Sequence, residues 1–263
     1  MTGCATATFP DAGARGSSTT YVVDSSGYHF SKPAIDYVRN VDGVAAPIAW
    51  GRYVVNRAGG SAESSGAREV TASEVASFRS ARMRMIPIVA PNQKELAGSF
   101  DDGKTLASEA VSILSGVITG FGNPQVFQEV LVYLDVEGDT HPIAREFLEG
   151  WCAGIRAAKV GNVSFQPALY TNGGLGGKEV RQVIASNMEG CQLKGLWLAN
   201  YLKKRDRPER WKNFAESKEN NLPRIPDAIP IYLWQYFPSG KLDWNMVNPD
   251  LEANLKSLSL ALW

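Results

Sequence analysis

Short apolar runs alternate along this chain with longer segments in which apolar residues recur every three or four positions. The short runs have the length of buried strands, and the longer segments have the spacing of one helix face. Seven runs are predicted to be strands, namely 19–24, 47–55, 85–90, 131–138, 165–171, 195–201 and 229–237. Helices are predicted to begin at Thr71, with Glu74 completing a capping box, and to cover 104–119, 142–158, 178–188 and the tail 250–262.

Strands that alternate with helices of this length are typical of parallel βαβ units. Seven or eight such units in a chain of 263 residues suit a closed barrel better than an open doubly wound sheet. No glycine fingerprint follows the first predicted strand, which argues against a dinucleotide-binding fold. We therefore predict an α/β fold: a single (β/α) TIM-type barrel over 19–263, with irregularity most expected in its last strands, after a flexible N-terminal segment over 1–18.

The amino-acid composition limits which kinds of binding partner are expected. The chain has 27 basic and 27 acidic residues and a formal net charge of zero, so neither a nucleic acid nor an anionic membrane is an expected partner. No apolar run approaches the roughly 20 residues that span a bilayer. Cys4, Cys152 and Cys191 are odd in number and widely spaced, so we predict neither a disulfide framework nor a metal site, with Cys152 in the core.

The run LVYLDVEG (131–138) ends a predicted buried strand in two acids, Asp135 and Glu137. Residues two apart on a strand point to the same face, with Cα atoms roughly 7 Å apart. Paired carboxylates beside a pocket suit the hydrolysis of a glycosidic bond, because one protonates the leaving oxygen while another stabilises positive charge or activates water. From this pair alone, a strand end with two solvated acids is an equally good interpretation.

Further polar and aromatic residues follow the other predicted strands. In a barrel the carboxyl ends of the strands meet at one rim, where active sites lie. The residues expected there are Asp24, Tyr170, Asn172, Asn200, Tyr201, Gln235, Tyr236, Asp243 and Asn245. Aromatic faces and amides at such a rim suit sugar binding. For any single aromatic, packing is the better interpretation, and it is the convergence that favours a sugar site.

Four segments resemble the family-25 glycoside hydrolases, the lysozymes that cleave the β-1,4 bond after N-acetylmuramic acid in peptidoglycan. They are LVYLDVEG, PALYTN (167–172), LWLANY (196–201) and LWQYFPSGKLDWNMVN (233–248). The segment WGRYVV (50–55) is more similar to a related glycoside-hydrolase-like family with the same barrel.

The resemblance implies roles for particular residues. Glu137 would be the general acid and Asp135 its partner, and Asp24 and Asp243 would complete the catalytic set. The residues expected to bind substrate are Tyr133, Tyr170, Asn172, Trp197, Asn200, Tyr201, Gln235, Tyr236 and Asn245.

Two classes of function therefore remain open. The first is a peptidoglycan-cleaving muramidase, or a hydrolase of another polysaccharide on the same barrel. The second is a non-catalytic glycan-binding or structural barrel in a larger assembly. Peptidoglycan or a related polysaccharide is the expected partner in the first case, and we expect a monomer.

No cofactor or metal is expected, since His29 and His141 are the only histidines and no cysteine or acid lies at ligand spacing to both. Because no secretory leader is evident, action on the cell wall would require phage-type release, injection by a delivery apparatus, or trimming of a secreted form. The Thr-Gly-Cys sequence at Cys4 resembles the end of a bacterial lipoprotein signal.

Overall fold

The computed structural model describes most of the chain. The described residues are 19–25, 31–40, 45–57, 70–120, 127–137, 143–172, 188–199, 229–238 and 242–263. Among them, no helix is both long and apolar enough to cross a membrane.

In the described part of the chain, nine strands form one sheet that closes on itself. Their bounds are β1 Tyr21–Ser25, β2 Ala49–Asn56, β3 Arg84–Ala90, β4 Gln128–Val136, β5 Lys159–Val160, β6 Val163–Asn172, β7 Leu196–Ala199, β8 Ile231–Pro238 and β9 Asp243–Val247. The sheet order is β4-β3-β2-β1-β9-β8-β7-β6-β5, and the pairing of β4 with β6 closes an eight-stranded barrel. The two-residue β5 pairs only with β6, outside the barrel circuit. The predicted α/β barrel is confirmed.

Helices flank the strands in the described chain. Their bounds are α1 Lys32–Arg39, α2 Ala72–Ala81, α3 Phe100–Gly120, α4 Arg145–Ala157, α5 Met188–Cys191 and α6 Glu252–Ser257, with 3-10 turns at Gln93–Ala97 and Pro249–Leu251. The capping box at Thr71 and Glu74 is confirmed.

Seven barrel strands run parallel, and β9 runs antiparallel to both of its neighbours, β1 and β8. Only the residues 239–242 separate β8 from β9, and so short a connection joins antiparallel strands, whereas parallel strands need a long crossover. From the sequence, Asp243 was predicted to follow the seventh strand without a strand of its own. The structure corrects this: Asp243 begins β9, at the rim where the parallel strands end.

Successive side chains along each strand point to opposite faces of the sheet, and this alternation produces two apolar layers. One layer fills the barrel, with contributions such as Val22, Ile88 and Leu131. The other packs between the barrel and its helices, with contributions such as Val23, Val89 and Phe147.

A buried ion pair ties β2 to α2. The Arg52 guanidinium contacts both Glu74 carboxylate oxygens, at 3.0 and 3.1 Å, and both side chains are buried. Glu74 also accepts from the backbone N–H of Thr71, so one carboxylate both caps the helix and holds it on the strand. Arg52 therefore lies on the helix side of β2, while Gly51 and Tyr53 lie on the opposite side, towards the barrel interior.

Three sequence predictions need correction. Helix α1 was not predicted, although Ser31 caps it. The closing helix covers only Glu252–Ser257 rather than 250–262. Cys152 and Cys191 form a disulfide between α4 and α5, with Cα atoms 5.2 Å apart, contrary to the prediction of no disulfide. The two cysteines are 39 residues apart in sequence, so the sequence alone did not indicate that the fold brings them together. Most of the predicted helix over 178–188 lies outside the described residues.

Helices α3 and α4 pack closely at two glycines. A Cβ on Gly103 would lie 2.0 Å from the backbone oxygen of Phe147, and one on Gly150 would lie 1.9 Å from that of Phe100. Neither obstacle is the end of a flexible side chain, so the two helix backbones approach this closely only because both positions lack a side chain.

We predict that Gly103→Ala lowers the free energy of unfolding by about 1–3 kcal/mol, the usual cost of overpacking. Gly116→Ala is the matched control on the same helix, because a Cβ there meets nothing within 4 Å. It should instead stabilise by about 0.5–1 kcal/mol through helix propensity. Chemical denaturation of both variants measures this, and equal effects at the two positions would contradict the close-contact argument.

Candidate active site

Three strands bring four carboxylates to one rim of the barrel. Asp24 in β1 and Asp243 in β9 are direct partners across an antiparallel pair, so their Cα atoms are about 4.5–5.5 Å apart. Asp135 lies on the interior face of β4, and Glu137 follows directly after that strand. The charges of Asp243 and Glu137 both raise the pKa of Asp24, so the acids share one electrostatic environment.

Burial dominates the ionisation of three of these acids. Asp24 and Asp135 expose only 1% and 5% of their surface. Burial raises the pKa of both carboxyls well above the ordinary range, and the charge of Glu137 raises the pKa of both further. Burial also raises the pKa of Asp243, to about 6. The site therefore holds more protons near neutral pH than four exposed carboxyls would.

The hydrogen bonds of Asp24 and Asp135 differ. The Asn245 Nδ2 donates to the Asp24 Oδ1 at 2.7 Å, which lowers the pKa of Asp24 against the effect of burial. The Asp135 Oδ1 is buried and has no hydrogen-bond partner among the described residues. A buried carboxylate oxygen without a donor makes the charged form costly, so these contacts favour a charge on Asp24 over one on Asp135.

Gln235 acts on Asp243 from the neighbouring strand. It is fully buried, and its Oε1 accepts the hydroxyl of Tyr170. Its Nε2 meets no acceptor at full hydrogen-bond geometry in the described chain, yet the amide lies close enough to Asp243 to lower the pKa of that acid. Asp24 and Asp243 thus each have a buried amide as neighbour.

The sequence analysis missed Tyr53 and Gly51. Tyr53 is buried, and its pKa is raised first by burial and then by the charges of Asp135, Asp24, Glu137 and Asp243, so its hydroxyl shares the environment of all four acids. Its position two residues after Gly51 in WGRYVV was the available signal.

Gly51 leaves space that the acids use. A Cβ at this position would lie 2.8 Å from the Asp24 Cβ and 2.7 Å from the Trp197 ring. Any side chain here would therefore compete with the first-strand acid for the same interior volume.

The end of β6 holds the end of β4 in place. The Thr171 hydroxyl donates to the backbone oxygen of Val136 at 2.9 Å, and the Asn172 Nδ2 donates to that of Glu137 at 2.8 Å. These bonds fix the backbone that carries Glu137. Asn172, which was predicted to bind substrate, thereby lies beside the expected general acid.

The predicted substrate-binding aromatics of the interior form one cluster. Trp197 makes edge-to-face contacts with Tyr133 and Tyr170, with ring centroids 5.5 and 5.2 Å apart. All three side chains are almost completely buried, so their contact with a substrate stays a prediction. Asn200 and Tyr201 lie outside the described residues, as do His29 and His141, and the side chain of Tyr236 is not described.

Proton transfer and charge stabilisation are the chemistry that this arrangement offers. Acid–base catalysis at neutral pH commonly uses buried carboxyls with unequal proton affinities. Within the described part of the chain, no three histidine, cysteine or acidic side chains are placed to hold a metal ion.

Comparison with solved structures identifies the fold, whereas no protein-family profile and no curated protein sequence matches the chain. The catalytic domain of the endolysin ply40 from bacteriophage P40 of Listeria monocytogenes superposes with a TM-score of 0.55 at 14% identity, over 91% of this chain and 98% of that one. GHIP, a glycosyl hydrolase 25 of Streptococcus pneumoniae that participates in host cell invasion, gives 0.53 at 15% identity, over 91% and 92%. The spore cortex lytic enzyme SleM of Clostridium perfringens gives 0.53 at 10% identity, over 89% and 69%.

This chain shares the barrel fold of these three proteins. One of them is a glycosyl hydrolase 25, so the fold implied by the sequence resemblance to family 25 is confirmed. Identities of 10–15% carry the similarity no further than the fold.

We predict that the free energy of unfolding falls as pH rises from about 4. The carboxyl of Asp243 ionises at about 6 in the folded protein and near its ordinary 3.8 when unfolded. Between these values the unfolded chain has lost the proton and the folded chain has not, so rising pH favours unfolding. Burial raises the pKa of Asp24 and Asp135 as well, so both carboxyls contribute to the same decline.

Asp135→Asn isolates one contribution to this decline. The variant should be more stable than wild type by about 1 kcal/mol or more at pH 7, and close to wild type below pH 4, where both side chains are neutral. Asp36→Asn, at an exposed position, should change stability by less than about 0.5 kcal/mol at either pH. Denaturation series at pH 4, 5, 6 and 7 test this, and an Asp135→Asn protein no more stable than wild type at pH 7 would refute it.

Proposed function

We propose that this chain is a muramidase-type glycoside hydrolase that cleaves the β-1,4 bond between N-acetylmuramic acid and N-acetylglucosamine in peptidoglycan. The observation that carries the proposal is the convergence of Asp24, Asp135, Glu137 and Asp243 at one rim of the barrel, with burial raising the pKa of three of them. The fold neighbours support it, because they are an endolysin domain, a glycosyl hydrolase 25 and a cortex lytic enzyme.

In this proposal Glu137 donates the proton to the leaving glycosidic oxygen. It is the last residue of the acid motif and is less buried than Asp135, so it faces the rim where a polysaccharide arrives. Its charge raises the pKa of Asp135, which favours keeping a proton between the two neighbouring carboxyls. That proton is what a general acid must supply.

Asp24 and Asp243, on the neighbouring strands β1 and β9, supply negative charge when they are ionised. A glycosidic bond breaks through an oxocarbenium-like state, whose positive charge a nearby carboxylate stabilises. The aromatic and amide residues of the rim would bind the sugar chain: Tyr170, Asn172, Asn200, Tyr201, Gln235 and Tyr236. Action on the cell wall follows from this substrate, and the route of delivery stays a prediction.

We predict that Glu137→Gln lowers the release of reducing ends from purified cell walls by about 10²–10⁴-fold or more, the usual contribution of a general acid. The amide keeps the shape of the side chain and removes the transferable proton. Thermal unfolding should be little changed, because Glu137 is only partly buried and follows the end of β4. Glu146→Gln on α4 is the control, since Glu146 is exposed and outside the site, and it should retain full activity.

Mass spectrometry of borohydride-reduced products identifies the bond. Reduced N-acetylmuramic acid at the new chain ends supports a muramidase, and reduced N-acetylglucosamine or another sugar indicates a different hydrolase on this barrel. If the wild-type protein binds glycan strands but releases no reducing ends, the enzyme proposal is wrong and the protein is a glycan-binding barrel.

A further inference from the structure

A chain of hydrogen bonds runs through the barrel interior to Asp24. The Trp197 Nε1 donates to the Asn245 Oδ1 at 2.7 Å, and the Asn245 Nδ2 donates to the Asp24 Oδ1 at 2.7 Å. Trp197 and Asn245 have no exposed surface. Asp24, at 1% exposure, is therefore reached from inside the protein by a network that bulk solvent does not enter.

The orientation of the Asn245 amide is determined by what surrounds it. An indole N–H can only donate, so the amide oxygen must face Trp197. The amide nitrogen then faces three acceptors, namely the Asp24 carboxylate and the backbone oxygens of Val22 and Asp243, the latter two at 3.2 Å. A flipped amide would lose every one of these bonds, so Asn245 always presents a donor to Asp24.

The other groups around Asp24 favour its neutral form. The titratable side chains that interact with it are Asp243 on β9, Asp135 and Glu137 at the end of β4, Tyr53 on β2 and Tyr170 on β6. Within the described chain, no basic side chain is among the groups that shift the pKa of Asp24, and Asn245 is the group that lowers it.

We propose that Trp197 and Asn245 are positioning residues, which act together to orient the Asp24 carboxyl and favour its charged form without touching the substrate. This assignment rests on the proposed glycosidase function and differs from the sugar-binding role that the sequence suggested for both residues. It divides the site into a side with a fixed amide donor, at Asp24, and a side without one, at Asp135, whose Oδ1 has no partner in the described chain. The proton needed for catalysis is thereby kept on the side of Asp135 and Glu137.

The edge-to-face contacts of Trp197 explain why an indole serves here. Its ring is held between Tyr133 and Tyr170, and its tip lies 2.7 Å from where a Gly51 Cβ would stand. The N–H is therefore fixed by packing on several sides. Trp197→Phe keeps most of this packing and removes the donor, so it is the sharpest single test.

The first readout needs no substrate. The pKa of Asp24 is measured by carbon-13 NMR titration of carboxyl-labelled protein, with the signal assigned by its absence in Asp24→Asn. In Asn245→Ala the pKa of Asp24 should rise by about one unit or more, a tenfold change in its protonation equilibrium. Trp197→Phe should raise it in the same direction by less, because the amide remains but is free to turn.

The double variant and a control decide whether Trp197 acts through Asn245. Adding Trp197→Phe to Asn245→Ala should produce no further shift, because the residue that transmits the effect is already gone. Trp151→Phe removes another buried indole N–H, one without an acceptor in the described chain and situated in the helix layer, and should leave the Asp24 titration unchanged. An unchanged Asp24 pKa in both single variants, or a full Trp197→Phe shift in the absence of Asn245, would overturn the proposal.

The second readout is the pH dependence of cell-wall hydrolysis. The acidic limb of kcat/KM should move to higher pH by the same amount as the Asp24 pKa, with activity recovering above the new limb and KM little changed. A rise in KM at every pH without a displaced limb would show that these residues bind the sugar, and would also overturn the proposal. If wild type hydrolyses nothing, the proposed function fails, while the NMR titration still decides whether the network controls Asp24.

Discussion

The burial of negative charge is the constraint on which the rest of this structure depends. Asp24 and Asp135 lie almost without solvent contact at the end of a barrel whose interior is largely apolar. Such groups destabilise a fold unless they are neutral or hydrogen-bonded. The surrounding residues provide unequal help, with an amide for Asp24 and none for the Asp135 Oδ1. The two acids therefore differ in how readily each carries a charge.

The barrel supports the acids through layers of increasing polarity. Val22, Leu131 and Leu233 contribute to the apolar interior. Trp197 and Tyr170 come next, each apolar in its ring and polar at one atom, and each directs that atom towards an amide. The amides of Asn245 and Gln235 then neighbour the carboxyls of Asp24 and Asp243. The change from apolar core to charged rim is therefore completed within a few side chains.

Local patterns in the sequence were sufficient for part of this picture. The placement of Asp135 at the end of β4 and of Glu137 directly after it follows the pattern of LVYLDVEG, and Thr71 caps its helix because the capping box is a contact between near neighbours. Helix α1 escaped prediction because two turns offer only three buried apolar positions, Ala34, Ile35 and Val38.

What the sequence could not reveal depends on contacts between distant residues. Strand β9 is antiparallel because a short connection joins it to β8. Predicting this from the sequence requires knowing that β9 is a strand and that it pairs with β8 and β1. The Cys152–Cys191 bridge needs the relative placement of α4 and α5. From the sequence, Trp197 and Asn245 could equally well be sugar contacts. Residue type and position on a strand do not reveal whether a side chain hydrogen-bonds to a substrate or to another side chain of the protein. Only their burial and hydrogen bonds distinguish the two interpretations.

The pairing of β1 with β9 has a consequence for biosynthesis. Asp24 meets Asn245 across 221 positions of sequence, and the strand that brings Asp243 beside it is the last of the barrel. A ribosome makes Asp24, Asp135 and Glu137 long before it makes their partners. A nascent or prematurely terminated chain thus carries three of the acids but not the arrangement that distributes their protons. Assembly of the four-acid site is then tied to the synthesis of β9.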